Sequence, residues 1–154
     1  SQRILTIKRL LSYIHENYTH RIYLHELADL AGMDPQYLCR FFKRSLGKTL
    51  TEYINSLRIE KACQSLRDTD DKILDICYDC GFQNMGHFIS CFKRLTRKTP
   101  SSYRESLKFQ EKSIFRNWQE KLWKKNEDRR DKIRILSFRK RAFWLWKNNG
   151  GTIK

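Results

Sequence analysis

The chain has 154 residues, enough for one or two small cores, and carries 32 Lys and Arg against 17 Asp and Glu for a formal charge of +15. That balance favours a polyanionic partner, either nucleic acid or an anionic membrane surface. No run of eighteen apolar residues is present, and Lys8 and Arg9 interrupt the N-terminal stretch before a signal-peptide core can form. The reading is therefore a soluble, cytoplasmic protein. Its 5 cysteines, at irregular spacing, fit a reducing compartment better than a secreted disulfide framework. The chain starts without Met and directly in an amphipathic pattern, which is consistent with a piece of something longer.

Pro occurs only at positions 35 and 100, so most of residues 3–106 reads as helices joined by short connections. Ile4, Ile7, Leu11 and Ile14 recur at helical spacing and predict a packing helix. A short helix carrying Leu24, Leu27 and Ala28 closes at Gly32, where a left-handed residue is expected. Asp34 then offers an N-cap with Pro35 at the first helical position, and a second helix follows with Leu38, Phe41 and Phe42 on its inner face. Leu50, Tyr53, Ile54, Leu57, Ala62 and Leu66 predict a long connecting helix over about 50–67. Ile73, Ile76 and Cys77 begin another short helix, which stops near Gly81; Asn84 caps the next, with Phe88 and Phe92 facing inward.

The two halves are copies. At an offset of 49, Leu24 falls on Ile73, Leu27 on Ile76, Ala28 on Cys77 and Gly32 on Gly81. After the turn the offset becomes 50, and Leu38 meets Phe88, Phe42 meets Phe92, Lys43-Arg44 meet Lys93-Arg94, Lys48-Thr49 meet Lys98-Thr99 and Tyr53 meets Tyr103. The change of offset places one extra residue in the second turn, where insertions are tolerated. Each copy is a helix-turn-helix, at about 24–45 and 73–96. One helix-Gly-helix pattern is common in any helical domain; two copies with matched basic pairs point to DNA.

At these residues the sequence resembles the DNA-binding domain of AraC/XylS-type bacterial transcription regulators. The resemblance runs over roughly residues 5–106. It rests on I-L-D-I-C-Y-D-C-G-F, H-F-I-S-C-F-K-R and K-T-P-S-S-Y-R, the last ending at Arg104, and on L-H-E-L-A, Y-L-C-R-F-F-K-R-S-L-G and Y-I-N-S-L-R-I-E-K-A earlier. It implies an all-α domain of about seven helices, two helix-turn-helix lobes on one linker helix, that binds promoter DNA and controls transcription initiation. The family often attaches an effector-binding or dimerisation domain on the N-terminal side. RNA polymerase is then an expected partner, and dimerisation of the parent protein would reside in that domain. Arg97, where the repeat has Gly47 and the family usually Gly, implies a strained left-handed turn, and Tyr23 stands where Ser or Thr would cap better.

A helix-turn-helix reads the major groove through the exposed N-terminal face of its second helix. In the first lobe Gln36, Cys39 and Arg40 match the family's base readers. Arg40 suits guanine and Gln36 adenine, each worth about 1–3 kcal/mol of discrimination; the competing reading of Arg40 is a surface salt bridge, and Cys39 reads as a small contact residue or a buried filler rather than a reader. The matching positions in the second lobe are Met85, Gly86, Ile89 and Ser90, none able to make a bidentate bond to a base. Met85 and Ile89 either touch thymine methyls or belong partly to the core. The first lobe is thus expected to carry most direct readout. Lys43, Arg44, Lys48, Asn84, Lys93, Arg94 and Lys98 are the candidate phosphate contacts, as a set favoured over solvated charges. Two reading helices about 34 Å apart would let a monomer see an asymmetric site of roughly 17–20 base pairs.

Cys77-x-x-Cys80 lacks the second ligand pair of a structural zinc site, and Cys77 falls on the core position of Ala28. The four histidines make no catalytic constellation, and no cofactor or enzymatic role is expected. Residues 107–154 form a basic extension holding 15 of the Lys and Arg, 5 of the Asp and Glu, and all four Trp (Trp118, Trp123, Trp144, Trp146). Ile114, Phe115, Trp118 and Leu122 predict an amphipathic helix there. Basic residues interleaved with aromatics, as in R-K-R-A-F-W-L-W-K, suit a wider DNA footprint, a membrane interface, or a segment with no evolved role, with non-specific polyanion affinity favoured. The alternatives to a sequence-specific regulator are a basic helical adaptor for protein or anionic lipid and an architectural protein that coats DNA by charge.

Overall fold

The computed structural model describes residues 1–125, whose regular elements are all helices: α1 (Gln2–Asn17), α2 (Leu24–Ala31), α3 (Pro35–Leu46), α4 (Leu50–Asp68), α5 (Ile73–Asp79), α6 (Met85–Thr96) and α7 (Pro100–Lys125). The chain divides into two compact units, Ser1–Tyr103 and Arg104–Lys154. In the first, α2–α3 and α5–α6 are the two helix-turn-helix lobes and α4 is the linker, one residue longer than its apolar pattern predicts.

Each lobe has its own core. Leu10 and Ile14 of α1 pack with Leu27, Ala28, Leu38, Phe41, Phe42 and Leu50 in the first. Ile59, Ala62 and Leu66 of α4 pack with Ile76, Cys77, Cys80, Phe82, Phe88, Cys91 and Phe92 in the second. All four phenylalanines read as core are buried, as is Cys77. The stripe predicted on α1 is shifted: Ile4 is exposed, packing starts at Ile7, and Leu10 lies at the centre of the contact. Helical spacing names a face of a helix but not where its neighbour begins.

Local signals place the helix ends. Gly32 closes α2 at φ 63 and ψ 38, and Asp34 Oδ1 accepts the backbone N–H of Gln36 at 2.9 Å and of Tyr37 at 3.3 Å to start α3. In the second lobe Asn84 Oδ1 accepts the His87 N–H at 2.9 Å. Thr49 and Glu52 form a reciprocal capping box on α4, with Glu52 Oε2 accepting the Thr49 N–H at 2.8 Å and Thr49 Oγ1 the Glu52 N–H at 3.2 Å. The weak cap at Tyr23 is rescued from within the helix, because Glu26 Oε2 accepts the Tyr23 N–H at 3.0 Å. Arg97 does adopt the left-handed conformation, at φ 64, as the sole non-glycine with positive φ among the described residues.

The turn arithmetic holds in three dimensions. α2 and α5 start 49 residues apart, at Leu24 and Ile73, whereas α3 and α6 start 50 apart, at Pro35 and Met85. Met33 N–H reaches Ala28 O at 3.0 Å and Phe82 N–H reaches Cys77 O at 3.1 Å, so the two turns still match at an offset of 49 through Phe82. The extra residue therefore enters between Phe82 and the cap Asn84.

In the second unit, Phe109, Ile114 and Trp118 of α7 are exposed, and the Phe115 and Trp118 rings stack with centroids 6.2 Å apart. The stretch R-K-R-A-F-W-L-W-K, with Trp144 and Trp146, lies outside the described residues.

Candidate nucleic-acid interface

The second helix of each lobe, α3 and α6, buries one side and exposes the other. On α3 the buried side is Leu38, Phe41 and Phe42, which leaves Gln36, Cys39, Arg40 and Lys43 exposed at the i, i+3, i+4, i+7 spacing of a single stripe. Arg44 and, in the following turn, Lys48 are exposed beside it. A hollow of about 390 Å³ opens next to Cys39, Arg40 and Lys43, with Leu24, Leu27 and Ile54 among its walls. Cys39 is thus a surface residue and no core filler.

On α6 the buried side is Phe88, Cys91 and Phe92, and Gly86, Ile89, Ser90, Lys93 and Arg94 are exposed, with Lys98 in the turn beyond. The two open readings of Met85 and Ile89 separate. Met85 is half-buried against the second core, while Ile89 keeps 38% of its surface exposed. Asn84 commits its carbonyl oxygen to the cap, so only its amide N–H groups remain for a phosphate.

Among the described residues, Arg40, Lys43, Arg44, Lys48, Lys93 and Lys98 pair with no carboxylate; the ion pair present is Arg67 with Asp68, at the end of α4. Arg94 donates to Cys91 Sγ at 3.8 Å. The backbone N–H of Thr49 holds the Glu52 carboxyl below its ordinary value, helped by the Thr49 hydroxyl and by the charges of Lys43 and Arg94. Glu52 thus lies in the electrostatic reach of a basic residue from each of α3 and α6.

Sequence reasoning missed two exposed ring side chains, one on α3 and one on α6. Tyr37 is 52% exposed on α3 and stacks on Phe41, and His87 is exposed one turn into α6, where its ring meets Phe82 edge-on at 5.4 Å. The repeat aligns these two at an offset of 50, which was the available signal. A cleft of about 320 Å³ joins His87, Gln83 and Asn84 to Arg21, Thr51, Asn55 and Arg58. Its walls come from the α1–α2 connection, α4, the α5–α6 turn and α6, and no single-helix pattern announces it. Asn55 is the buried polar residue of α4, at a position that the apolar stripe skips. No group of side chains able to hold a metal occurs among the described residues, and no helix among them is long and apolar enough to cross a membrane.

A family model for a helix-turn-helix domain matches residues 27–106. The bifunctional transcriptional activator/DNA repair enzyme AdaA of Bacillus subtilis (strain 168) is 36% identical over 102 residues, which cover 66% of this chain and 48% of AdaA. Its match falls on the helix-turn-helix part. Among solved structures, the C-terminal domain of the two-component response regulator yesN from Fusobacterium nucleatum is 31% identical with a TM-score of 0.58, over 62% of this chain and 93% of that one. A transcriptional regulator of Chromobacterium violaceum, described by its AraC-type DNA-binding domain, is 27% identical with a TM-score of 0.60, over 66% of this chain and 91% of the other. The chain spans no more than about half of the length of the curated relatives it matches, 48% of AdaA and 33% of the melibiose operon regulatory protein of Escherichia coli (strain K12) among them. The doubled lobe, the two exposed basic stripes and these likenesses agree: the chain belongs to the AraC-type helix-turn-helix family of DNA-binding transcription regulators.

Proposed function

We propose that this chain is the DNA-reading part of a sequence-specific regulator, which inserts α3 and α6 into successive major grooves of promoter DNA as a monomer. The observation that carries the reading is the repeated presentation of one exposed stripe per lobe, each ending in an unpaired Lys and a neighbouring Arg. Gln36, Cys39 and Arg40 are the first lobe's base contacts; Met85, Gly86, Ile89 and Ser90 are the second's, with Ile89 the better placed of its apolar pair. Lys43, Arg44, Lys48, Asn84, Lys93, Arg94 and Lys98 hold phosphates and set register without reading sequence. Residues 1–106 suffice for this, and 107–154 add charge-driven affinity. The role is non-catalytic and takes no cofactor, the site of action is the cytoplasm at the nucleoid, and RNA polymerase is the protein partner. Any dimerisation belongs to a separate domain of the parent protein.

Enrichment of random duplexes on the full chain and on residues 1–106, in parallel at about 150 mM salt, tests this. The expected product is a two-part motif with half-sites one helical turn apart and sharper under the first lobe. Arg40→Ala should relax preference at one position at a cost of about 1–3 kcal/mol, whereas Lys43→Ala should weaken all sequences alike and lower the salt slope by about 1. Equal affinity for enriched and random duplexes would sink the proposal.

A further inference from the structure

The two cores share no residue, and the change from one to the other falls within a single step of α4. Leu57 packs on the first core and Ile59 on the second, with Arg58 between them. If α4 were the only connection, a bend in that helix would be free to swing one lobe against the other. A second connection exists, and it is built on Arg58. Its Nε donates to Tyr18 O at 2.6 Å and its Nη2 to His20 O at 2.9 Å, both in the connection from α1 to α2 in the first lobe. Its guanidinium also lies 5.8 Å from the centroid of Phe82, a buried residue of the second core.

Gly81 brings the second lobe's backbone to the same point. A Cβ there would lie 2.9 Å from each of Arg58 Nε, Thr19 O and Tyr18 O. Its repeat partner Gly32 has nothing within 4 Å of the same position. Gly32 therefore serves a helix end, while Gly81 additionally leaves room for the first lobe's connection and for Arg58.

We infer that Arg58, seated against Gly81 and the Tyr18–His20 carbonyls, is a positioning residue that fixes the spacing between the two DNA half-sites without touching DNA itself. The inference rests on the two-groove reading above. With reading helices about 34 Å apart, a swing of about 10° displaces one of them by about 6 Å, close to two base-pair steps. A loosened pin would therefore admit neighbouring spacings while each helix went on reading its own bases.

The test is a duplex library with the two enriched half-sites held constant and their separation varied one base pair at a time, applied to the full chain and to Arg58→Lys and Arg58→Met. Circular dichroism identifies the folded variants, and the Lys variant, which keeps the charge and one donor, carries the test if Met does not fold. The wild type should favour one spacing over its neighbours by about 10-fold or more, since a misplaced lobe loses its base contacts. In the folded variants that ratio should fall to about 2–3-fold, less for Lys than for Met, with unchanged base preference within each half-site. General destabilisation would lower binding at every spacing alike. An unchanged spacing ratio in a folded variant overturns the pin. Failure of the wild type to enrich any two-part site overturns the functional reading instead, and the inference falls with it.

Discussion

Phe92 and Tyr103 meet edge-on, with ring centroids 5.5 Å apart and planes at 81°, and Phe42 and Tyr53 make the same contact at 5.7 Å and 72°. Each residue of one pair stands fifty residues from its counterpart in the other, so the repeat seen in the letters is a repeat of packing. An edge-to-face pair contributes about 0.5–1.5 kcal/mol beyond its buried area. Tyr53→Leu and Tyr103→Leu should each lose at least that much. Because the two rings serve separate cores, the double variant should equal the sum of the singles to within about 0.5 kcal/mol in urea unfolding. Tyr53 also has its hydroxyl 2.8 Å from His15 Nε2, so Tyr53→Phe should show a smaller loss of its own.

The two turn glycines are equivalent in sequence but not in surroundings. Gly32→Ala meets open space and incurs only the left-handed backbone cost of about 1–2 kcal/mol. Gly81→Ala, at φ 103, must also displace both Arg58 and two backbone carbonyls, and should cost about 3 kcal/mol or more. Chemical denaturation of the two variants side by side checks the order; equal losses would contradict the close packing around Gly81.

Arg97 holds a left-handed conformation in which its repeat partner is Gly47. Arg97→Gly should therefore stabilise the protein, by about 1 kcal/mol after the loss of side-chain contacts, since the αL penalty for a residue with a Cβ is about 1–2 kcal/mol. Thermal unfolding measures it. DNA affinity should drop by no more than one long-range charge would contribute.

The five thiols offer a footprint of the proposed reading face. Cys39 is exposed on α3, whereas Cys77, Cys80 and Cys91 are buried. Burial pushes the Cys80 thiol up to about 12 and raises those of Cys77 and Cys63 as well, which keeps them out of the reactive thiolate form. Iodoacetamide near pH 8 should alkylate Cys39 first, and peptide mass mapping should show that modification slowed by duplex carrying the enriched site. Unslowed labelling of Cys39 on saturating DNA would remove it from the interface.

The sequence alone determined most of what short-range rules govern, although the Glu26 carboxylate that rescues the Tyr23 cap went unread. The αL stop at Gly32, the caps at Asp34 and Asn84, the inward phenylalanines and the single-residue insertion were all readable, because each is settled within a few residues along the chain or by the period of one helix. The stripe Gln36, Cys39, Arg40 and Lys43 was readable for the same reason: once one side of a helix is apolar, the other is fixed. Tertiary structure decided what depends on segments distant in the chain. Ile4 carries the right period but is exposed, and Met85 turns partly to the core where Ile89 does not. In the sequence Arg58 is one more polar residue on a linker helix. Only folding brings it to carbonyls 38 and 40 residues away, against a turn from the other lobe. A helical period encodes direction around one axis; the distance between two lobes is set by contacts that no local pattern carries.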